Sequence, residues 1–175
     1  VEEQATGEIV AGAGVGTDGT SFMFSVKENN WLGRGIKLES TLNLSEEKVS
    51  GNILVNNPNY NYSGNSAFVS LDVSSTDRSN SSGFRSSKTG FDIGTSFEQY
   101  ENFYVAPNLS LAFEDIEVDD TASTAVKNME GNFFNMDLGY KVVKDDRNQK
   151  FKPTRGKKVT FRQSIPIVQD SSSIL

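Results

Sequence analysis

Cysteine and histidine are both absent from the 175 residues. Without cysteine, no disulfide framework and no thiolate metal site can form. Without histidine, the commonest general base and the commonest metal ligand are missing. These two gaps exclude a Ser-His-Asp hydrolase, a Cys-His protease and a histidine-zinc site. Cationic side chains are also in deficit: 17 Lys and Arg face 23 Asp and Glu, for a net charge of −6 and a pI near 4.7. No long Lys/Arg cluster occurs, so nucleic acid is not an expected partner. No apolar run approaches the ~18–20 residues of a membrane-spanning helix. Tryptophan occurs once and proline four times, yet phenylalanine occurs 12 times against a mean hydropathy of −0.45. A polar chain with strongly apolar spots, long enough for one domain, must owe its fold to patterning.

That pattern is period two. Phe22, Phe24 and Val26 alternate with Ser21, Ser25 and Lys27, and Ile36, Leu38, Leu42 and Leu44 with Lys37, Glu39, Thr41 and Asn43. The same rule runs through residues 49–56, 67–74, 91–97, 105–114, 134–142 and 158–167, each a strand with one apolar and one polar face. No amphipathic helix is expected. Turn signals separate the strands at Thr17-Asp18-Gly19, Asn29-Asn30, Ser45-Glu46-Glu47, Asn57-Pro58-Asn59 and Ser63-Gly64-Asn65. Ser74–Lys88 and Asp115–Gly131 read as longer solvated linkers.

Two architectures suit such strands. A soluble sandwich packs the apolar faces inward. A transmembrane barrel turns them to lipid and its polar faces to a wet lumen. The pattern favours the barrel. Strands of ~8–11 residues suit an oblique crossing of hydrocarbon. Charges sit in mid-strand on the polar face (Lys37, Glu39, Asp72, Asp92, Asp137, Lys141, Arg162), and aromatics gather near strand ends (Trp31, Tyr60, Tyr62, Tyr100, Phe103, Tyr104), as an interfacial girdle requires.

Gly14-Val15-Gly16-Thr17-Asp18-Gly19 matches a dinucleotide-binding string, but an alternating strand follows where that fingerprint needs a helix. The match is read as chance. The acidic group Glu114, Asp115, Glu117, Asp119 and Asp120 lacks EF-hand spacing and reads as a solvated loop. No carboxylate pair stands out for glycoside hydrolysis. The first strand is unusual, with Gly7, Gly12, Gly14 and Gly16 beside Ala11 and Ala13. Such residues fit either a curved barrel corner or a strand meant to pair weakly, leaving its backbone edge available.

Four ordered segments resemble the BamA family, the outer-membrane protein assembly factors with a D15-type bacterial surface antigen barrel. Thr6-Gly7-Glu8 and the Gly-rich strand look like the junction between the last periplasmic POTRA domain and barrel strand one. Glu28-Asn29-Asn30-Trp31-Leu32-Gly33-Arg34-Gly35 resembles the family's (D/E)-N-x-(F/W)-L-G-x-G turn. Asn57-Pro58-Asn59-Tyr60 stands where the family has N-P-Y-(F/L), with the aromatic one place later. Asp146-Arg147, then Pro153-Thr154 and Gly156, is similar to its D-R-x-x-x-P-T-x-G turn.

The resemblance implies an all-β antiparallel transmembrane barrel, of which the chain supplies about nine of sixteen strands as an open meander. It implies that residues 1–5 end a POTRA domain and that 6–175 form the N-terminal part of the barrel. The chain begins Val1-Glu2-Glu3 with no signal-peptide pattern and ends Ser173-Ile174-Leu175, and it reads as a piece of something longer. Family orientation puts the turns at 29–34, 58–65, 99–102 and 144–156 in the periplasm. The implied function is not enzymatic: a membrane insertase whose first strand templates client strands through a lateral gate. Its implied gate residues are Gly7, Glu8, Ile9, Val10, Ala11, Gly12, Ala13 and Gly14. No cofactor is implied. Implied partners are the outer-membrane bilayer, unfolded outer-membrane clients and accessory assembly lipoproteins, and the implied location is the bacterial outer membrane. A secretion translocator of the same superfamily and a soluble or surface β-sandwich adhesin are the alternative readings.

Overall fold

In a computed structural model, which describes residues 6–16 and 19–170, nine strands form one antiparallel sheet. They are β1 (Gly7–Gly16), β2 (Gly19–Trp31), β3 (Ile36–Ser45), β4 (Lys48–Tyr60), β5 (Asn65–Arg78), β6 (Phe84–Tyr100), β7 (Phe103–Val118), β8 (Gly131–Asp145) and β9 (Lys158–Gln169). Each strand pairs with its neighbours in sequence order, leaving β1 and β9 as the two edges. This is the expected open meander. No second layer covers either face among the described residues, so the sandwich alternative falls.

Register fixes which residues share a face, because directly opposed residues point the same way. One row runs Ile9, Val26, Ser40, Ile53, Leu71, Phe91, Leu111, Met136 and Val168 across all nine strands. Another runs Val55, Val69, Ile93, Leu109, Leu138 and Ile165. The row between them is polar apart from Leu54: Lys27, Glu39, Leu54, Ser70, Asp92, Ser110 and Asp137.

Burial is inverted relative to a soluble protein. On the apolar face Phe24 is 48% exposed, Leu138 44% and Phe161 53%, whereas Ser25 and Ser70 on the polar face are 7% and 9% exposed. A sheet that crowds its polar side chains and spreads its apolar ones curves around the polar face. The polar groups satisfy one another there: Asn52 Nδ2 donates to Asp72 Oδ1 at 2.7 Å, and the Ser110 hydroxyl donates to Asp92. Two aromatics also join this face, Phe133, the sole buried hydrophobic residue described, and Phe68, whose ring lies over Gly94.

The apolar band has a measurable height. On β8 it runs from Phe134 to Val142, nine residues or roughly 23 Å of bilayer at ~3.3 Å per residue and ~40° tilt. Outer-membrane barrels present a band of about 25 Å. Beyond it the same face turns polar at once, through Ser75, Ser87, Asp115 and Asn132, then Asp77, Arg85 and Glu117.

That change accounts for several corrections. Ser74–Lys88 is mostly strand, not a linker: β5 continues to Arg78, β6 starts at Phe84, and Asp77 and Arg85 pair across them at 3.1 Å. Past the hydrocarbon no apolar alternation is required, so polar residues there still form a ladder. Asp115–Gly131 likewise begins as strand, to Val118, and contains a short helix α1 (Thr124–Lys127) capped by Ser123 where no helix was expected. The strands run to 10–17 residues, longer than expected for the same reason. Asn57-Pro58-Asn59 belongs to β4 rather than to the turn after it. Ile167 falls at a register shift in β9, so Val168 stands opposite Met136. The expected aromatics Trp31, Tyr60, Tyr62, Tyr100, Phe103 and Tyr104 all lie at the rim of the β2–β3, β4–β5 and β6–β7 turns. Thr17 and Asp18, in the predicted first turn, and residues 1–5, assigned to a POTRA end, lie outside the described residues.

Candidate functional site

Strand β1 pairs with β2 from Gly7 opposite Glu28 to Gly16 opposite Gly19. All ten of its residues are exposed. One backbone bond fixes which of its groups are used: the Asn29 amide donates to the Thr6 carbonyl at 3.1 Å. In an antiparallel ladder, bonded and non-bonded pairs alternate. Even-numbered residues from Thr6 to Gly16 therefore bond β2. The N–H and C=O groups of Gly7, Ile9, Ala11, Ala13 and Val15 point away from it, along the free edge. Of the expected gate residues, Gly7, Ile9, Ala11 and Ala13 offer their backbone to that edge, whereas Glu8, Val10, Gly12 and Gly14 hold the strand to β2.

Three glycines of β1, at positions 12, 14 and 16, are not demanded by sterics. A Cβ at Gly16 would meet nothing within 4 Å, one at Gly14 would lie 3.5 Å from Ser21 Oγ, and one at Gly12 would lie 4.0 Å from Met23 Cε. None of the three has positive φ. Their shared effect is on adhesion: this stretch of β1 buries little side chain against β2, and glycine carries the largest entropic cost of ordering.

The two short rim turns, β2–β3 and β4–β5, are built alike. In the first, Glu28 Oε1 accepts the Asn30 amide at 2.7 Å and Asn30 Oδ1 accepts the Gly35 amide at 2.7 Å. In the second, Asn57 Oδ1 accepts the Asn59 amide at 3.1 Å and Asn59 Oδ1 accepts the Gly64 amide at 2.8 Å. Leu32, Gly33 and Gly35 hold φ of 59°, 67° and 67°, and Asn61, Tyr62 and Gly64 hold 54°, 55° and 76°. Each preceding strand gains one extra residue, between Glu28 and Trp31 and between Asn57 and Tyr60. Tyr60 therefore corresponds to Trp31. The aromatic that falls one place late in sequence falls in register in the fold. Pro58 sits within the bulge, where a missing N–H costs no ladder bond.

The third motif closes the long turn between β8 and β9. Arg147 pairs with Asp145, Nε to Oδ1 at 2.7 Å and the second guanidinium nitrogen to Oδ2 at 2.8 Å, and it holds that carboxyl down at about 2. Asp146 instead meets Lys144 Nζ at 2.9 Å. Gly156 has φ of 87°, and a side chain there would collide with the backbone of Asp146 and Arg147. Asn148 is the hub: its Oδ1 accepts from the amides of Thr154 at 3.2 Å and Arg155 at 3.1 Å, and its Nδ2 donates to Thr154 Oγ1 at 3.0 Å. Pro153 precedes this clasp and presets the backbone before Thr154.

Sequence motifs marked Asn30, Trp31, Leu32, Gly33, Gly35, Asn57, Pro58, Tyr60, Asp146, Arg147, Pro153 and Gly156. The structure gathers the first eight at one rim and the last four in the β8–β9 turn, which opens at that rim. It adds Asn59, Asp145 and Asn148. For Asn59 and Asn148 the signal was available as an Asn five or six positions before a Gly or Thr, the spacing of a side chain that closes a turn on backbone amides, and for Asp145 as an Asp two positions before an Arg. The acidic group on β7 does not converge: Glu114 lies on the polar face near Lys88, 3.9 Å away, while Asp115 and Glu117 lie on the other face. Among the described residues no group of three or more carboxylates could hold a metal ion.

Comparison with known proteins agrees with this geometry. The Omp85 superfamily domain matches residues 30–174. The crystal structure of BamA from Haemophilus ducreyi lacking POTRA domains 1–3 is similar, with a TM-score of 0.68 at 19% identity. The likeness covers 95% of this chain and 35% of that one, so the chain spans roughly a third of that protein's length. No curated protein matches the chain.

Proposed function

Because the chain belongs to the Omp85 superfamily and has the fold of a bacterial outer-membrane barrel, we propose that residues 6–175 are the N-terminal part of an insertase barrel. In this reading residues 1–5 end the preceding POTRA domain. Strand β1 acts as a lateral gate, and its free edge templates the strands of unfolded outer-membrane clients. Accessory assembly lipoproteins are the expected further partners. The reading needs no covalent chemistry and no cofactor.

The observation that carries it is the weak adhesion of β1, a Gly- and Ala-rich strand that buries little side chain against β2 and turns alternate N–H and C=O groups away from it. In hydrocarbon such groups must find partners, and another strand supplies them in the right spacing. A Gly- and Ala-rich strand that adheres weakly to its neighbour can release one partner and accept another. Backbone pairing is also indifferent to client side chains, as a general insertase requires.

Proline placement tests this directly in the full-length protein reconstituted in lipid vesicles. Ala13→Pro removes an N–H on the free edge and should slow client insertion at least about tenfold, the effect of losing one or two hydrogen bonds in an apolar setting. Ala13→Val keeps that N–H and should insert at near the parent rate. Insertion by Ala13→Pro at the parent rate would contradict the proposal.

A further inference from the structure

The apolar face is not uniform. One row of small residues crosses it near the aromatic rim: Ala67 on β5, Thr95 on β6 and Pro107 on β7. Larger side chains, among them Val69, Ile93 and Leu109, wall it on the side away from the rim. The result is an apolar trough of about 740 Å³. Its floor is unusually free of polar demand. Thr95 Oγ1 donates to the Ser66 carbonyl at 2.7 Å, which turns the Thr95 methyl outward. Deeper on this face the row Leu71, Phe91, Leu111 and Met136 consists of large side chains only.

At the rim beside the trough lies a second, polar cleft of about 300 Å³ lined by Arg34, Asn59, Asn61 and Tyr62. Asn57 and Tyr60 line both, so the two are adjacent. Arg34 is the sole cation in the cleft and makes no ion pair among the described residues. An apolar channel at membrane depth, ending on an unpaired guanidinium beside tyrosines at headgroup level, has the polarity of one lipid molecule. We propose that this face binds one anionic glycerophospholipid, with an acyl chain along Ala67, Thr95 and Pro107 and the phosphate on Arg34. The inference rests on the membrane-facing reading of the apolar face.

The test uses the full-length protein in phosphatidylcholine vesicles doped with a phosphatidylglycerol that carries a diazirine in its acyl chain. Photolysis followed by peptide mapping should label Ala67, Thr95 and Pro107 well above Phe161 and Ile165, which share the face on β9. Arg34→Gln should cut the trough labelling about tenfold, as expected for loss of a charge-assisted contact to phosphate, and leave β9 labelling unchanged. Ala67→Leu, which fills the floor without touching Arg34, should cut it as well. Even labelling of trough and β9, or trough labelling indifferent to Arg34→Gln, would overturn the site and mark ordinary annular lipid. Equal trough labelling by a diazirine phosphatidylcholine would overturn the anionic preference. Absence of label from trough and β9 alike would instead overturn the membrane-facing reading beneath it.

Discussion

Asn59 occupies in the second rim turn the place that Asn30 occupies in the first. Each carboxamide oxygen accepts a glycine amide five residues on, Gly35 at 2.7 Å and Gly64 at 2.8 Å. The two turns share their hydrogen bonds and three left-handed positions, but the middle one is Gly33 in the first and Tyr62 in the second. Asn30→Ala and Asn59→Ala should therefore destabilise alike, by about 1 kcal/mol each for one lost closing bond. Tyr62→Gly should raise stability by up to about 1 kcal/mol, because left-handed backbone disfavours a side chain. Urea unfolding of the full-length protein from lipid vesicles would measure all three.

The polar face is packed as closely as a core at two points. The Asn108 carboxamide lies directly over Gly139, where an added Cβ would collide with it, and the Phe68 ring lies over Gly94, 2.5 Å from an added Cβ. Gly139→Ala and Gly94→Ala should each cost about 1–3 kcal/mol by overpacking. Gly16→Ala, which meets nothing within 4 Å, should cost less than 0.5 kcal/mol, the range of ordinary surface changes. The same unfolding assay separates the two classes.

The edge of the apolar band gives a sharper test of facing. Leu138→Arg places a charge in the middle of the band and should destabilise by about 2–4 kcal/mol. Ser87→Arg lies on the same face but above the band, beside Asp115, and should cost about 0–1 kcal/mol. Equal costs would contradict the assigned depth.

How much of this was legible in the sequence follows the solvent. Where the chain crosses hydrocarbon, lipid on one side and a polar lumen on the other enforce strict alternation, and Phe24, Leu42, Val69, Ile93 and Leu138 stood out at once. Above the band both faces meet water, so Asp77–Arg78 and Phe84–Lys88 read as loop although the ladder continues through them. Phe68 was illegible because its place depends on Gly94, which faces it from β6 two strand lengths of sequence away, and Phe133 because its ring folds back over Gly131 of its own strand on the polar face. The turn motifs gave the locations of the rim turns but not their mechanics. Asn59, Asp145 and Asn148 matter through the amides they reach, and only the fold shows those.

The β8–β9 turn should respond to acid in a defined window. Arg147 holds Asp145 at about 2, below its ordinary 3.8. A depressed carboxyl stabilises the folded turn above the unfolded value, and that contribution is lost as pH falls through the folded one. Hydrogen exchange at the Asn148 and Arg155 amides should therefore be constant from pH 5 to 8 after correction for intrinsic rates. Protection should decline between about pH 4 and pH 2. Arg147→Gln should lower protection at neutral pH and flatten that decline, because the Asp145 carboxyl then returns toward its ordinary value and little pH-dependent stability remains to be lost. Asp77, held at about 2 chiefly by Ser79 and then Arg85, should behave the same way at the opposite rim.

The central claim is that β1 must part from its neighbour across the barrel seam for a client to enter. The most direct measurement pairs a cysteine at Ala11, whose backbone faces the free edge, with one in the strand that closes the full-length barrel. This segment contributes no competing thiol. Client insertion into vesicles is then followed as a function of the fraction crosslinked. The account predicts that the insertion rate falls in proportion to the crosslinked fraction and returns when reductant is added. Insertion at full rate with the crosslink complete would contradict it.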